Sequence, residues 1–383
     1  MLKGLKHLDK VQEVVFIMAS CMELLMAICE EYRLTVPYSR FILWLFFAIY
    51  FLRVLRTRYT KSEYAVLFII MTIGVLCYFY SGVNAVIKAG IYAFALKEVD
   101  VRKLVKCMAV SLMIMVWVMF IRSVLIKDTS LQYLIDKRSN RGFDGIRYTF
   151  GFLNPNRFMG TFFTIVMMFL SVGKADKKRV LIFAINICAL DMFFYYFTDT
   201  RTVFYLLLFI ELLYVLVVCV DNKIIQRAVV IIWGISFSAM LLVSFLAACK
   251  VENAILRVID KFISGRIQQL GDTSFAKENA LGYIENWHLF TSLENRAGYD
   301  LGYVHIFYYY GILTAGCLLI LIAYAGNILI RKKEYANLVI LCGLCIYMFM
   351  EIYFFSNYVT KNYLLIFCAA VLWKREVTLA PLS

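Results

Sequence analysis

The sequence predicts an all-α, polytopic membrane protein with about 12 transmembrane helices, on three observations. Hydrophobic residues make up 63% of the 383, and the mean hydropathy is +0.77; a soluble domain is nearer half apolar. Apolar runs recur along the whole length, each close to the roughly 20 residues a spanning helix needs. Only three prolines and 17% charged residues argue against disorder. A formal charge of +14 would suggest nucleic acid in a soluble chain. In this one, topology and an anionic ligand explain it better, and no nucleic-acid partner is expected.

Taken in order, the apolar segments are roughly 11–29, 37–55, 64–81, 83–96, 104–126, 157–172, 180–197, 202–220, 228–248, 302–330, 336–355 and 358–373. The first has no small-residue cleavage site behind it and more follow, so it reads as a retained helix. The fourth is short and carries Lys88, which suits a tilted, re-entrant or covered helix. No repeats or domain linkers are evident, so residues 1–383 read as a single transmembrane domain. The eleven cysteines lie in or at the edges of apolar runs, so no disulfide framework is expected. Cys342 and Cys345 are spaced CxxC inside an apolar helix and read as packing.

Lysine and arginine in the short connections set orientation. Basic clusters precede the first segment and follow the second, fourth, sixth, eighth, tenth and twelfth. They hold more than half of the 40 Lys and Arg residues, all on one side. Both termini are therefore expected in the cytoplasm. Two long connections, about 127–156 and 249–301, fall outside. They are basic too (Arg147, Arg257, Lys261 and Arg266 among others), and an anionic substrate at the outer leaflet is the simplest reason. Within the second, Ile255, Ile259, Phe262 and Ile263 share one helical face with Arg257, Asp260 and Lys261 opposite. This predicts an amphipathic helix, lying either at the membrane interface or on a solvated surface.

Glu23, Lys88, Asp191, Glu211 and Glu351 lie inside apolar segments, where charge is costly and usually faces the bundle interior. An antiparallel hairpin would bring Glu351 and Lys361 to one depth, so an ion pair is expected there. Three polar stretches converge on the outer side: Arg147 to Asn156, the turn Thr198-Asp199-Thr200-Arg201, and Ser264-Gly265-Arg266 through Asp300, Tyr303 and His305. One arginine at such a boundary is usually a headgroup anchor. Several together suit a diphosphate, because the planar guanidinium matches phosphate oxygens. Asp300 or Asp199 beside them suits a general base acting on a hydroxyl. Asn154-Pro155-Asn156 also fits a plain helix cap, and His305 a satisfied polar residue. No HExxH, GxSxG or Walker A motif is present, and no acidic pair has metal-ligand spacing. Neither a metal nor a cofactor is expected.

These motifs resemble those of the bacterial O-antigen and capsular polysaccharide polymerases, within the O-antigen polymerase and ligase superfamily. Tyr148-Thr-Phe-Gly-Phe-Leu-Asn-Pro-Asn156 is similar to their aromatic-Gly-aromatic and Pro-Asn signature. Thr198-Asp-Thr-Arg201-Thr202 resembles their Ser-Arg-Thr turn, and Ile263-Ser264-Gly265-Arg266 the start of their large outer loop. Asp300-Leu-Gly-Tyr303, with Gly311-Ile312 further on, is similar to their Asp-Asn-x-Tyr and Tyr-Gly-Ile elements. The likeness covers residues 147–313 in order. It departs at Leu301, where the family has Asn, and at Asp199-Thr200, where a serine often precedes the Arg.

The resemblance implies a metal-independent, inverting glycosyl transfer at the outer face of the bacterial plasma membrane. A glycan on undecaprenyl diphosphate would be the donor and a lipid-linked repeat unit the acceptor. Membrane lipids, a flippase and a chain-length regulator would be the partners. Arg147, Arg201 and Arg266 would stabilise the leaving diphosphate, and Asp300 would be the base. Asn154, Asn156, Arg157, Asp199, Tyr303 and His305 would contact substrate. A ligase of the same fold and a flippase of lipid-linked oligosaccharide are the alternatives. Ligases carry a histidine at the place of Asp300, which favours the polymerase.

Overall fold

The computed structural model describes residues 2–32, 34, 36–126, 133–135, 146–173, 176–220, 222–263, 265–271, 282–290, 300–351 and 358–373. The chain runs through α1 (Leu2–Glu31), α2 (Ser39–Arg56), α3 (Lys61–Ser81), α4 (Ala85–Ala95) and α5 (Val101–Ile126). A two-stranded ribbon follows, β1 (Tyr133–Ile135) and β2 (Ile146–Tyr148), then α6 (Pro155–Val172), α7 (Lys177–Thr198), α8 (Arg201–Val220) and α9 (Lys223–Ala248). The short α10 (Ala254–Phe262) precedes α11 (Gly302–Arg331), α12 (Tyr335–Met350) and α13 (Tyr363–Trp373). Among the described residues the fold is all-α apart from the ribbon, and each apolar segment of the sequence holds a helix over part or all of its described length.

Among the described residues, seven helices are long and apolar enough to cross a membrane: α1, α3, α5, α7, α8, α9 and α11. The expected dozen spans thus divides by length. The helices α4, α12 and α13 are apolar but short, with α4 and α13 only 11 residues each. At 1.5 Å per residue, 11 residues cover about 16 Å, roughly half a bilayer's hydrocarbon. α2 and α6 reach 18 residues, but α2 carries Arg40, Arg53 and Arg56, and α6 opens with Asn156 and Arg157.

Contacts divide the chain into two compact units. The first holds the described parts of residues 1–53 and 99–221, the second those of 54–98 and 222–375. In the first, α1 packs on α5, α5 on α6, and α7 on α8. Its outer helices show apolar side chains on their surface, such as Ile185 at 62% and Leu212 at 60% exposure. A helix apolar on its exposed face suits a lipid solvent. Glu23 is buried and accepts a hydrogen bond from Tyr50 Oη at 2.8 Å. Asp191 on α7 and Glu211 on α8 are buried as well, and neither oxygen of Asp191 has a hydrogen-bond partner among the described residues.

In the second unit, α3 and α4 approach closely. A Cβ at Gly74 would lie 2.8 Å from the Ile87 side chain, and one at Gly90 would lie 2.7 Å from Ile70. Small residues at a helix crossing are the usual device for such approach in membranes. α12 and α13 are buried almost all round, with Cys342, Cys345 and Cys368 among their packed residues. A helix apolar on every side belongs in a core. α3 starts with a capping box in which Thr60 and Glu63 exchange hydrogen bonds, and Glu63 also pairs with Lys97 at 2.6 Å.

The predicted amphipathic helix is α10, capped by Asn253 Oδ1, which accepts from Leu256 N at 2.7 Å. Its faces differ from the expectation. Ile255, Val258 and Phe262 point outward, while Asp260 is buried. Asp260 turns inward because its Oδ1 accepts from Ile267 N at 2.6 Å, closing the turn that follows the helix.

Candidate active site

In the first unit, the motif that opens α6 is built by backbone geometry. Phe150 and Gly151 both have positive φ, at 49° and 88°. A Cβ on Gly151 would lie 2.9 Å from Met119 O and 3.0 Å from the Tyr32 ring, so both conformation and space call for glycine. The flanking Phe150 and Phe152 pack against Phe158, at ring distances of 4.6 and 5.6 Å. Asn154 then caps α6: its Oδ1 accepts from Asn156 N at 2.7 Å and Arg157 N at 3.3 Å. Pro155 holds the first helical position, where no donor is lost.

Arg147 sits on β2, opposite Leu134. Tyr133-Leu134-Ile135 and Ile146-Arg147-Tyr148 are rich in the aromatic and branched residues that favour strands. From this ribbon Arg147 Nε donates to Thr198 O at 2.7 Å, and Nη2 donates to Asn156 Oδ1 at 3.0 Å and Thr200 Oγ1 at 3.2 Å. Thr200 Oγ1 donates in turn to Asn156 Oδ1 at 3.3 Å. Two of the polar stretches separated in sequence thus meet on one guanidinium. Asp199 ends α7 in the left-handed conformation, φ 47°, which Asp tolerates better than most residues. Its carboxylate lies 3.7 Å from Arg201 Nε, and both side chains are about a third exposed, at 34% and 39%. Arg157 is half-buried on the first turn of α6.

In the second unit, Gly265 takes φ 79° and its amide donates to Asp260 O at 2.8 Å. Arg266 follows, only 4% exposed. Its Nη2 donates to Glu351 Oε1 at 2.7 Å, while Nη1 is buried with no hydrogen-bond partner among the described residues. Glu351 is therefore paired with Arg266. Asp300 is half-buried, and its amide donates to Gln269 Oε1 at 3.3 Å. Two residues on, a Cβ at Gly302 would collide with the carbonyls of Met348 and Glu351. The start of α11 is thus seated on the end of α12, beside Glu351 and, through it, Arg266.

Tyr303 is 1% exposed, and its hydroxyl donates to Cys345 O at 3.4 Å, so it faces the α12 core. His305 is 7% exposed with its ring against Tyr309 at 5.5 Å. α11 breaks at Gly311, φ 84° and ψ 161°. The amides of Ile312 and Leu313 donate to His288 O at 2.9 Å and Leu289 O at 3.2 Å. A Cβ at Gly311 would collide with the Phe290 carbonyl. Residues 288–290 are thus held in the break. Trp287 stacks on Phe307 at 4.6 Å and Phe290 on Tyr80 at 5.0 Å.

Sequence reasoning did not find Glu351, Gln269 and Thr200 as neighbours of the candidate residues. Glu351 carried the clearest signal, as an acid inside an apolar run, but its partner lies 85 positions away. Serine 264 of the outer-loop motif lies outside the described residues. No protein-family model, curated protein or solved structure matches the chain.

Proposed function

We propose that this chain is a polymerase of the bacterial plasma membrane, with about twelve spans and both termini in the cytoplasm. It joins undecaprenyl-diphosphate-linked repeat units into capsular, exopolysaccharide or O-antigen chains. The observation that carries the reading is the Arg147 guanidinium, oriented by Thr198, Asn156 and Thr200 from two motifs about 40–50 residues apart. A cation fixed in this way needs no reorganisation when charge develops on a leaving group. In the reaction, an acceptor-sugar hydroxyl attacks the anomeric carbon of the donor. The bond from that carbon to the diphosphate oxygen breaks, the diphosphate leaves with the electron pair, and configuration inverts. Arg147 and Arg201 of the first unit stabilise the diphosphate charge; the resemblance implies Asp300, of the second unit, as the base that takes the hydroxyl proton, and Arg266, of the same unit, as a further cation.

Single alanine substitutions of Arg147, Arg266 and Asp300 test this in cells, scoring glycan chain length. Loss of a fixed electrostatic donor is expected to slow transfer by about 100- to 1000-fold, leaving short chains. Normal long chains from all three inserted variants would end the assignment.

Transport of lipid-linked oligosaccharide is the second reading, favoured by the half-length α4 and α13 and by the break in α11. Discontinuous helices are common around transporter sites. Cells lacking a flippase keep single repeat units inside, whereas cells lacking a polymerase display single units outside.

A further inference from the structure

The apolar side of α10 faces away from the protein. Ile255, Val258 and Phe262 recur at helical spacing and are 71%, 68% and 76% exposed. The opposite side is held within the second unit. Leu256 and Asp260 are each 4% exposed, and Asp260 Oδ1 accepts from Ile267 N at 2.6 Å. A helix lying on a water-covered surface has the reverse arrangement, with its apolar stripe packed inward. Three large apolar side chains turned outward from a nine-residue helix therefore call for an apolar cover.

The position of α10 in the chain says what that cover is. α9 has 26 residues and measures about 39 Å, close to the roughly 40–45 Å of a bilayer with its headgroup regions. Its end therefore falls at headgroup level. Residues 249–253 alone separate it from α10, a reach of about 20 Å at most. The chain also leaves the α9 axis at once. Lys250 is left-handed, φ 59°, and the Val251 amide donates back to Leu246 O at 3.1 Å. α10 thus starts beside the membrane surface and not on a projecting stalk.

Charge fits the same surroundings. Arg257 and Lys261 are exposed on α10, while its one acid, Asp260, is buried. Arg257 is paired with Glu252 at 3.2 Å, and Lys250 with Glu285 at 2.7 Å. Lys261 has no ion pair among the described residues. It lies three positions after Val258 and next to Phe262, at the edge of the apolar stripe. An apolar face bordered by a cation matches the acyl chains and phosphates of an anionic lipid surface.

We propose that α10 docks on the bilayer surface. Ile255, Val258 and Phe262 enter the acyl boundary of the leaflet at which α9 ends, and Lys261 meets anionic lipid phosphates beside them. The bond from Ile267 N to Asp260 ties this anchor to the turn that bears Arg266. The anchor requires no catalytic role for that arginine and stands apart from the polymerase reading.

The test uses the full-length protein in nanodiscs of equal parts phosphatidylcholine and phosphatidylglycerol. Phe262→p-benzoylphenylalanine places a photoreactive aromatic group on the exposed face, and the same replacement of Phe245, 50% exposed on α9, marks lipid contact inside the span. After irradiation, adducts are identified by mass spectrometry. The probe at 262 is expected to label lipid as the one at 245 does, with phosphatidylglycerol preferred. Lys261→Gln is expected to reduce that preference about fivefold. Ile255→p-benzoylphenylalanine repeats the reading at a second position. Lipid adducts at 245 with none at 262 or 255 would overturn the proposal. So would adducts to a second copy of the chain or to another part of the same chain, which would identify a protein cover. Equal labelling of the two lipids would remove Lys261 from the site. Glycan length is not read, so each outcome is separate from that of the polymerase assignment.

Discussion

At the scale of single residues, the two central arginines are held in different ways. Arg147 is half-buried and shares its donors among a carbonyl, an amide oxygen and a hydroxyl. Lysine offers a point charge rather than a planar fork. Arg147→Lys should therefore insert normally yet lose most chain extension, by about tenfold or more, measured as glycan length against protein in the membrane. Arg266 is in a buried pair with Glu351, each side chain 5% exposed. Removing one partner of such a pair leaves a buried, uncompensated charge and costs about 3–5 kcal/mol. Glu351→Ala should lower the melting temperature sharply in detergent. The double replacement Arg266→Met with Glu351→Leu should be milder than Glu351→Ala alone, because apolar isosteres of a buried pair are often neutral. Equal damage from both would show that the pair stabilises by more than charge balance. Sequence alone marks Arg147 and Arg266 as basic residues in unusual places. It does not reveal their partners, since Thr198 and Glu351 lie 51 and 85 positions away.

At the scale of elements, α11 is the most informative helix. Its 30 residues would measure about 45 Å if straight, well beyond the roughly 30 Å of a hydrocarbon core. The break at Gly311 leaves Ile312 to Arg331, long enough to cross by itself, and sets apart a shorter piece carrying Tyr303 and His305. Hydropathy cannot display this break, because a glycine within an apolar run reads as helix. Here the positive φ and the carbonyl of Phe290 require it. Gly311→Ala should cost about 1–3 kcal/mol in backbone strain, with overpacking added, and should loosen residues 288–290. Hydrogen exchange at Ile312 and Leu313 would rise; unchanged protection there would contradict the account. α7 offers the opposite case. Asp191 is fully buried with no hydrogen-bond partner among the described residues, so Asp191→Asn removes a carboxyl group that no described contact satisfies. The variant should melt no lower than the wild type. A large drop would mean that the carboxylate has a partner such as water or an ion.

At the scale of the whole molecule, composition and apolar periodicity located the long helices of the described residues but not which of them traverse a bilayer. Length and composition mark seven; α4 and α13 are apolar helices of 11 residues each, and α2 and α6 carry polar ends. The sidedness drawn from basic clusters belongs to the proposal. It predicts that cysteines placed at Lys103 and Lys332 react with an impermeant maleimide only after the membrane is opened, and that one at Lys261 reacts in intact cells. The reverse pattern would put the candidate arginines on the cytoplasmic face. The most direct test of the central claim is reconstitution. Purified protein in liposomes would receive the lipid-linked repeat unit extracted from cells that lack this gene, and products would be separated by size. The account predicts a ladder of lengthened glycans with release of polyprenyl diphosphate, absent for Arg147→Ala. Movement of the unit across the bilayer with no ladder would contradict it.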